Sequence, residues 1–415
     1  MTLPESLGIP TRLHTFEPTH QAALQRLGAI DPAAYARSRN ALDGAVTGLS
    51  PYFTHGLLSL PDAARAVHAR HSLGFDDKLV FEFGWREFFH HVWAHQKNPD
   101  AILQDMHGAA VWHGQYAETL PLDIRHGCTG VAAIDNAVRI LYATGYLHNH
   151  ARMYLASYVV HVRKVHWRAG ADWLYGHLLD GDLPSNHLSW QWVAGTFSSK
   201  PYLFNAENVL KYAPASARAA WDCSGTVIDQ NYDALDRMAR NQTGVGPEPG
   251  VHEKVPEPPL LGDFYLLNWP SDQSTPAQEA IKNIANRELE LVHPWSLSQP
   301  STAGTLPDFL RIGIIHLPAH AAWPWSAQRW QFVLQAMAEV TDSIWIGDLT
   351  ELDTSAARCV TAQATLFPGY RQALSKMASL TPAPRLLPSP AMACRSFSKF
   401  YERARRDVGQ FGDLL

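Results

Sequence analysis

Cysteine is scarce in this chain of 415 residues, with only Cys128, Cys223, Cys359 and Cys394. They lie far apart and form no C-x-x-C pair, which excludes a disulfide framework or thiolate zinc site and leaves free thiols, as in a reducing cytoplasm. Charge is sparse as well. Charged residues make up 18% of the chain, and 34 Lys and Arg against 39 Asp and Glu give a net charge of −5. That balance argues against a broad basic footprint on long duplex DNA and leaves room only for a local groove. No apolar run approaches the ~20 residues a membrane helix needs, and the opening MTLPESLGIPTRLH lacks the apolar core of a signal peptide. The sequence-based expectation is a cytoplasmic protein without a membrane partner. No G-x-G-x-x-G follows a strand, and no 20–50-residue repeat is visible.

Tryptophan, by contrast, is plentiful at 14 copies, and 46% of the residues are hydrophobic, enough for two or three domains with real cores. So many indoles need either core positions or flat ligands to stack on. From about Asp31 to Ala213 the apolar residues recur at spacings of three and four, as in Asp135 to Tyr142 and Ala151 to Val165, which predicts helices. Residues 241–262 hold five prolines and several glycines, which break any periodic element and suggest a linker. Beyond it ELELVHPW, LRIGIIHL, SIWIGDL and CVTAQATL read as short strands, with an amphipathic helix from Ala327 to Val340 between two of them. Strands alternating with helices imply a small, mostly parallel sheet. The expected architecture is an all-helical domain over 1–240, the linker over 241–262 and an α/β domain over 263–415.

Chemistry concentrates between Thr144 and Asn205. Asp180 and Asp182 flank the glycine of a D-G-D-L turn, and Asn186, Trp190 and Trp192 follow, so carboxylates, an amide and π-faces crowd together. Such a mixture suits an aromatic, hydrogen-bonding cofactor. Asn186 and Trp190 share a helix face at i,i+4, whereas Trp190 and Trp192 point about 200° apart. The histidines His148, His150, His161 and His166 also invite a metal reading. It is weak, because no H-E-x-x-H occurs and His148 and His150 would point to different faces of a helix.

In family order, H-N-x-x-R-M, H-W-R-x-G, L-x-D-G-D-L, N-x-x-x-W-Q-W and F-N make this segment resemble the FAD-binding domain of photolyases and cryptochromes. Tyr35, the stretch Thr47-Gly48-Leu49-Ser50-Pro51-Tyr52 and the segment Glu82 to Phe88 extend the resemblance upstream. Only some thirty residues precede Tyr35, where most family photolyases carry an antenna-binding domain. The order therefore resembles a bacterial photolyase subgroup with an inverted arrangement.

The resemblance implies the site residues. Tyr35, Thr47, Gly48, Leu49 and Ser50 would hold the FAD phosphates and ribitol, although Ser50 before Pro51 also reads as a helix cap. Arg152 and Asp180 would sit beside the flavin ring, with Asp182 as a further contact. Asn186 would face flavin N5, where an amide can accept from a protonated nitrogen; capping a helix is its plainer alternative. Trp190, Trp167 and Trp112 would pass electrons to the flavin, against the alternative of packed core indoles. Glu82, Trp85, Asn149, Met153 and Trp192 would line the lesion pocket, with Glu82 donating to a pyrimidine carbonyl if protonated; a solvated helix charge is its alternative. His150 replaces an Arg common in the family and would weaken one DNA contact.

The implied function is that of a light-driven lyase, a monomer acting on UV-damaged, single-stranded DNA. Photoexcited reduced FAD passes an electron to a cyclobutane pyrimidine dimer, the ring splits, and the electron returns. The α/β domain, lacking a recognisable pocket motif, is expected to cover the flavin site and hold no antenna chromophore. A cryptochrome-like blue-light receptor with the same flavin and Trp chain is the alternative.

Overall fold

The computed structural model describes residues 2–96, 103–106, 111–262, 284–300 and 309–415. The helices that position the residues of interest are α1 (Lys78–Ala94), α2 (Ala132–Thr144), α3 (Asn149–Ser157), α4 (Trp167–His177), α5 (Leu183–Ala194), α6 (Ala206–Tyr212), α7 (Tyr232–Asn241), α8 (Ala327–Val340) and α9 (Phe397–Ala404). By its contacts the chain divides into two compact units that interleave in sequence. One holds residues 1–15, 33–46 and 96–258; the other holds 16–32, 47–95 and 259–415.

The first unit is helical, as its three-and-four spacing predicts. Ala133, Ile134, Ala137, Val138 and Leu141 of α2 are fully buried, and each large apolar side chain so buried stabilises by roughly 1.5–3 kcal/mol. Helix α3 continues into a π-helical turn, Tyr158–Val162, the kind of irregularity that often marks functional segments. Residues 242–258, read from composition as part of a linker, form no helix or strand. They are nonetheless strapped to this unit. Val245 N–H donates to Val162 O at 3.2 Å, Glu248 N–H to Thr129 O at 3.0 Å, and Val255 N–H to His126 O at 2.9 Å. Glu257 accepts from Trp173 Nε1 at 2.9 Å and Arg125 Nε at 2.7 Å. Burial alone would raise the Glu257 carboxyl, but hydrogen bonds from His177 and Arg125 outweigh it and hold the group at about 2. The prolines removed regular structure here without removing order.

The second unit contains a five-stranded parallel sheet of β1 (Glu288–Val292), β2 (Phe309–His316), β3 (Ser343–Gly347), β4 (Cys359–Gln363) and β5 (Ser379–Thr381), in the order β3-β2-β1-β4-β5. The four runs read as strands from the sequence supply β1 to β4, and the expected helix is α8. Leu310 to His316 of β2 are all buried, the continuous pattern of a strand covered on both faces. Arg311 interrupts that run, and its cost is offset on the neighbouring strand: β1 and β2 pair Glu290 with Arg311, whose Nε lies 2.7 Å from the carboxylate.

Earlier helices pack into the same unit. His55 Nδ1 donates to Pro294 O at 2.7 Å, Tyr401 Oη to Phe75 O at 2.6 Å, and Arg385 Nε to buried Glu87 at 3.0 Å. Contacts spanning some 240–330 residues are what draw residues 47–95 into it.

Candidate functional site

In the first unit the D-G-D-L turn joins α4 to α5. Leu179 N–H donates to Gly145 O at 2.8 Å, which fixes the turn beside the start of α3. Arg152 of α3 reaches Asp180, its Nη2 donating to both carboxylate oxygens at 2.9 and 2.8 Å, while its Nε donates to Leu147 O at 2.7 Å. The Asp180 side chain is only 3% exposed, so the guanidinium is what allows a carboxylate to stay there. Asp182 is the N-cap of α5, accepting from Ser185 N–H at 3.1 Å. The capping role weighed for Asn186 thus belongs to Asp182.

Asn186 lies one turn inside α5 and is nearly buried. Its Nδ2 donates to Ala171 O on α4 at 2.8 Å. A carbonyl can only accept, so this bond fixes the amide's orientation and leaves Oδ1 as an acceptor with no partner among the described residues. A buried amide acceptor of this kind fits the N–H edge of a reduced flavin. The donor set of Arg152, Asp180 and Asn186 is thus chemically suited to FAD.

Trp190 is 3% and Trp192 37% exposed, as their angular separation on α5 requires. The Trp190 ring lies across α4 at Gly170, where an added Cβ would come within 2.3 Å of Cη2. The glycine of H-W-R-x-G is therefore a seat for this indole, a role the sequence alone did not reveal. Gly170→Ala is expected to cost about 1–3 kcal/mol through overpacking, read as a lowered thermal midpoint with altered tryptophan fluorescence. Trp167, one turn earlier on α4, is buried and donates Nε1–H to Asp105 at 2.7 Å. Trp112 reaches it through two further rings. Trp112–Tyr116, Tyr116–His166 and His166–Trp167 have centroid separations of 5.2, 6.4 and 5.5 Å. Lys164, at φ +53°, donates to Met238 O and Ala239 O and stands 5.3 Å from the Trp112 ring, and burial pushes its ammonium down to about 8. Neither Tyr116 nor Lys164 was singled out by the sequence, because nothing local ties them to Trp112.

Asn149 and Met153 meet as their i,i+4 spacing requires, Nδ2 to Sδ at 3.5 Å. His148 is not on α3 but caps it, its Nδ1 accepting from His150 N–H, and the two imidazoles stack at 6.1 Å. The expectation that they occupy different helix faces is corrected accordingly. His150 also stacks on Tyr212 at 4.7 Å, and burial, then Arg39, pushes it down to about 4. At neutral pH it offers a ring, not a charge. Among the described residues no group of three or more His, Cys, Asp or Glu is arranged to hold a metal ion.

Tyr35 lies in the first unit on the helix Pro32–Ser38. Thr47, Gly48, Leu49 and Ser50 belong to the second, where Leu49 N–H donates to Thr47 Oγ1 at 3.3 Å and Gly48 has φ +62°. Ser50 is the first residue of the helix Ser50–His55, and Leu49, without a side-chain bond, is its cap, so the capping alternative for Ser50 does not hold. Glu82 and Trp85 lie on α1 of the second unit. Glu82 is exposed, and one face of Trp85 is stacked on Phe397 of α9 at 4.2 Å and 8°.

Residues 79–248 match the family described as the FAD binding domain of DNA photolyase. Over 226 residues the chain is 31% identical to a deoxyribodipyrimidine photo-lyase of Synechococcus, covering 51% of this chain and 45% of that one. It is 37% identical over 188 residues to the deoxyribodipyrimidine photo-lyase of Thermus thermophilus, 43% of each chain. A cryptochrome DASH of Idiomarina loihiensis is 31% identical over 245 residues, 54% of this chain and 53% of that one. The chain thus spans about half the length of these curated relatives. No helix among the described residues is long and apolar enough to cross a membrane. The Arg152–Asp180 pair and the oriented Asn186 amide both lie inside residues 79–248, the stretch that matches the FAD binding domain of DNA photolyase.

Proposed function

We propose that this protein is a light-driven DNA repair lyase that binds FAD as its sole chromophore and splits cyclobutane pyrimidine dimers, acting as a monomer on single-stranded DNA. The observation that carries the reading is the orientation of Asn186: its amide N–H is committed to Ala171 O, so Oδ1 is left to accept from a reduced flavin. Bound FAD would supply the light-driven electron. Arg152 and Asp180 would hold the ring, Asp182 would keep the α5 terminus in register, and Tyr35 with Thr47 to Ser50 would take the phosphates and ribitol. Glu82, Trp85, Asn149, His150, Met153 and Trp192 would receive the lesion. Trp190, Trp167 and Trp112 would return the flavin to its reduced form. The net charge of −5 is compatible with a single-stranded substrate, and an unpaired lesion spares the few kcal/mol of extrusion from a duplex.

The test is illumination of the reduced protein with blue light in the presence of a dimer-containing oligonucleotide, single- and double-stranded in parallel. Loss of dimers in light but not darkness, faster on the single strand, is expected. Unchanged dimer content on both would refute repair, and equal rates would refute the strand preference. The similarity to a cryptochrome DASH keeps one alternative, a blue-light receptor. Light-dependent partner binding without dimer loss would select it.

A further inference from the structure

Among the described residues, the aromatic side chains that are freely exposed are Trp192, at 37%, and Tyr232, at 49%. Both lie in the helical unit, as do the half-exposed Tyr202 and Tyr212. Gly195, at φ +90°, ends α5 and turns the chain back on itself. Tyr202 N–H then donates to Val193 O at 3.0 Å, Ser157 Oγ to Tyr202 O at 2.8 Å, and the Tyr202 ring comes to rest 6.0 Å from Trp192 at 35°. Tyr212, at the end of α6, stacks on neutral His150. Tyr154 of α3 is buried and donates to Asn208 Oδ1 at 3.1 Å, and Tyr232 hydrogen-bonds the same Asn208 side chain. Burial, and then the nearby Tyr202, Tyr212 and Tyr232, keep its hydroxyl protonated. Four tyrosines and an indole therefore share one region, tied to α3, α5, α6 and α7. Its exposed charges are mixed, with Lys200 and Lys211 against Glu207 and with Asp233 next to Tyr232.

Exposed aromatic faces are costly to leave in water and have an obvious ligand in a flat apolar ring. With so little net positive charge here, phosphate attraction is weak, and what the region offers is π-surface. Unpaired bases fit that offer, whereas bases in a duplex are already stacked on each other. We propose that Trp192, Tyr202, Tyr212 and Tyr232 form a stacking face for the unpaired nucleotides that flank the lesion, so that strand selection resides in these rings as well as in the lesion pocket. The proposal rests on the repair reading for its choice of polymer, and it extends the binding surface beyond the pocket residues to Tyr202, Tyr212 and Tyr232.

The experiment uses the full chain in the dark with an undamaged, fluorescein-labelled oligo(dT) and, in parallel, its duplex with oligo(dA), followed by anisotropy at two salt concentrations. Base–aromatic stacking of about 1–3 kcal/mol per base corresponds to roughly 5- to 150-fold in affinity. Tyr232→Ala and Tyr212→Ala should each weaken single-strand binding at least fivefold while leaving duplex binding unchanged. Tyr232→Phe should bind like the parent, because the ring matters and the hydroxyl does not. The dependence on salt should be shallow and nearly the same in Tyr232→Ala, whereas loss of a phosphate contact would flatten it. Should Tyr212→Ala fail to fold, the exposed Tyr232 still carries the test. Wild-type single-strand binding by Tyr232→Ala, an equal loss on duplex, or no oligonucleotide binding by the parent overturns the proposal. No dimer is split in this assay, so failure of repair and failure of the stacking face register separately.

Discussion

Asp180→Ala is expected to lower the unfolding free energy by about 3–5 kcal/mol, the cost of leaving one member of a buried ion pair without its partner. The Arg152 guanidinium is three-quarters covered and donates to both Asp180 oxygens. When the carboxylate is gone it keeps, among the described residues, its bond to Leu147 O and its contact with the Tyr146 ring, 5.5 Å from the guanidinium. Asp180→Asn keeps the shape and one acceptor and should cost less. Denaturant unfolding gives the stability difference, and on the proposed function both variants should also purify with less bound flavin. An Asp180→Ala protein within about 1 kcal/mol of the parent, the level of an exposed pair, would mean that the pair is not holding the turn.

Acidification should unfold the protein well before its carboxylates are neutralised. His293, in the second unit, is fully buried, with Nε2 donating to Gln363 O at 2.9 Å and Nδ1 accepting from Trp295 N–H at 3.2 Å. These partners require the neutral ring, and burial pushes the group from 6.5 down to about 4. In the first unit His161 is likewise pushed to about 4 and His148 to about 3, both by burial first. A histidine lowered in the folded state contributes stability that is whole above the unfolded value of 6.5. That contribution is lost as pH falls from 6.5 toward the folded value, because only the unfolded chain takes up the proton. A shift of this size corresponds to roughly 3 kcal/mol per histidine at the acid end. Unfolding free energies measured from pH 8 to pH 4 should therefore be flat above pH 7 and fall steeply below 6.5. In His293→Gln the slope should decrease by about one proton between those limits. A profile that stays level down to pH 5 would show that these rings are not held neutral.

Much of this was legible in the residues. Strands β1 to β4 and α8 appear as apolar runs and helical spacing because each obeys a short-range period that burial imposes. The Asn149–Met153 and Asn186–Trp190 pairings follow from helix geometry, and so does the opposition of Trp190 and Trp192. The capping role weighed as an alternative for Asn186 fell to Asp182, since both residue types cap helices and the choice depends on where the helix starts. The composition that removed secondary structure from 242–258 said nothing of the strap. Its bonds run to Thr129, Val162, His126 and Arg125, which are distant in sequence.

Which segments are helix, which are strand, and which stretch resembles an FAD-binding domain could be read from the residues alone, because these depend on periodicity and motifs spanning tens of residues at most. Tertiary structure decided which helices accompany the sheet. It also placed Glu87 on Arg385, the Trp190 ring on Gly170 and the Asn186 amide on Ala171, the last of which fixes what that amide can bind. Those outcomes depend on close packing between segments whose patterns are locally equivalent, and only the folded chain can choose among them.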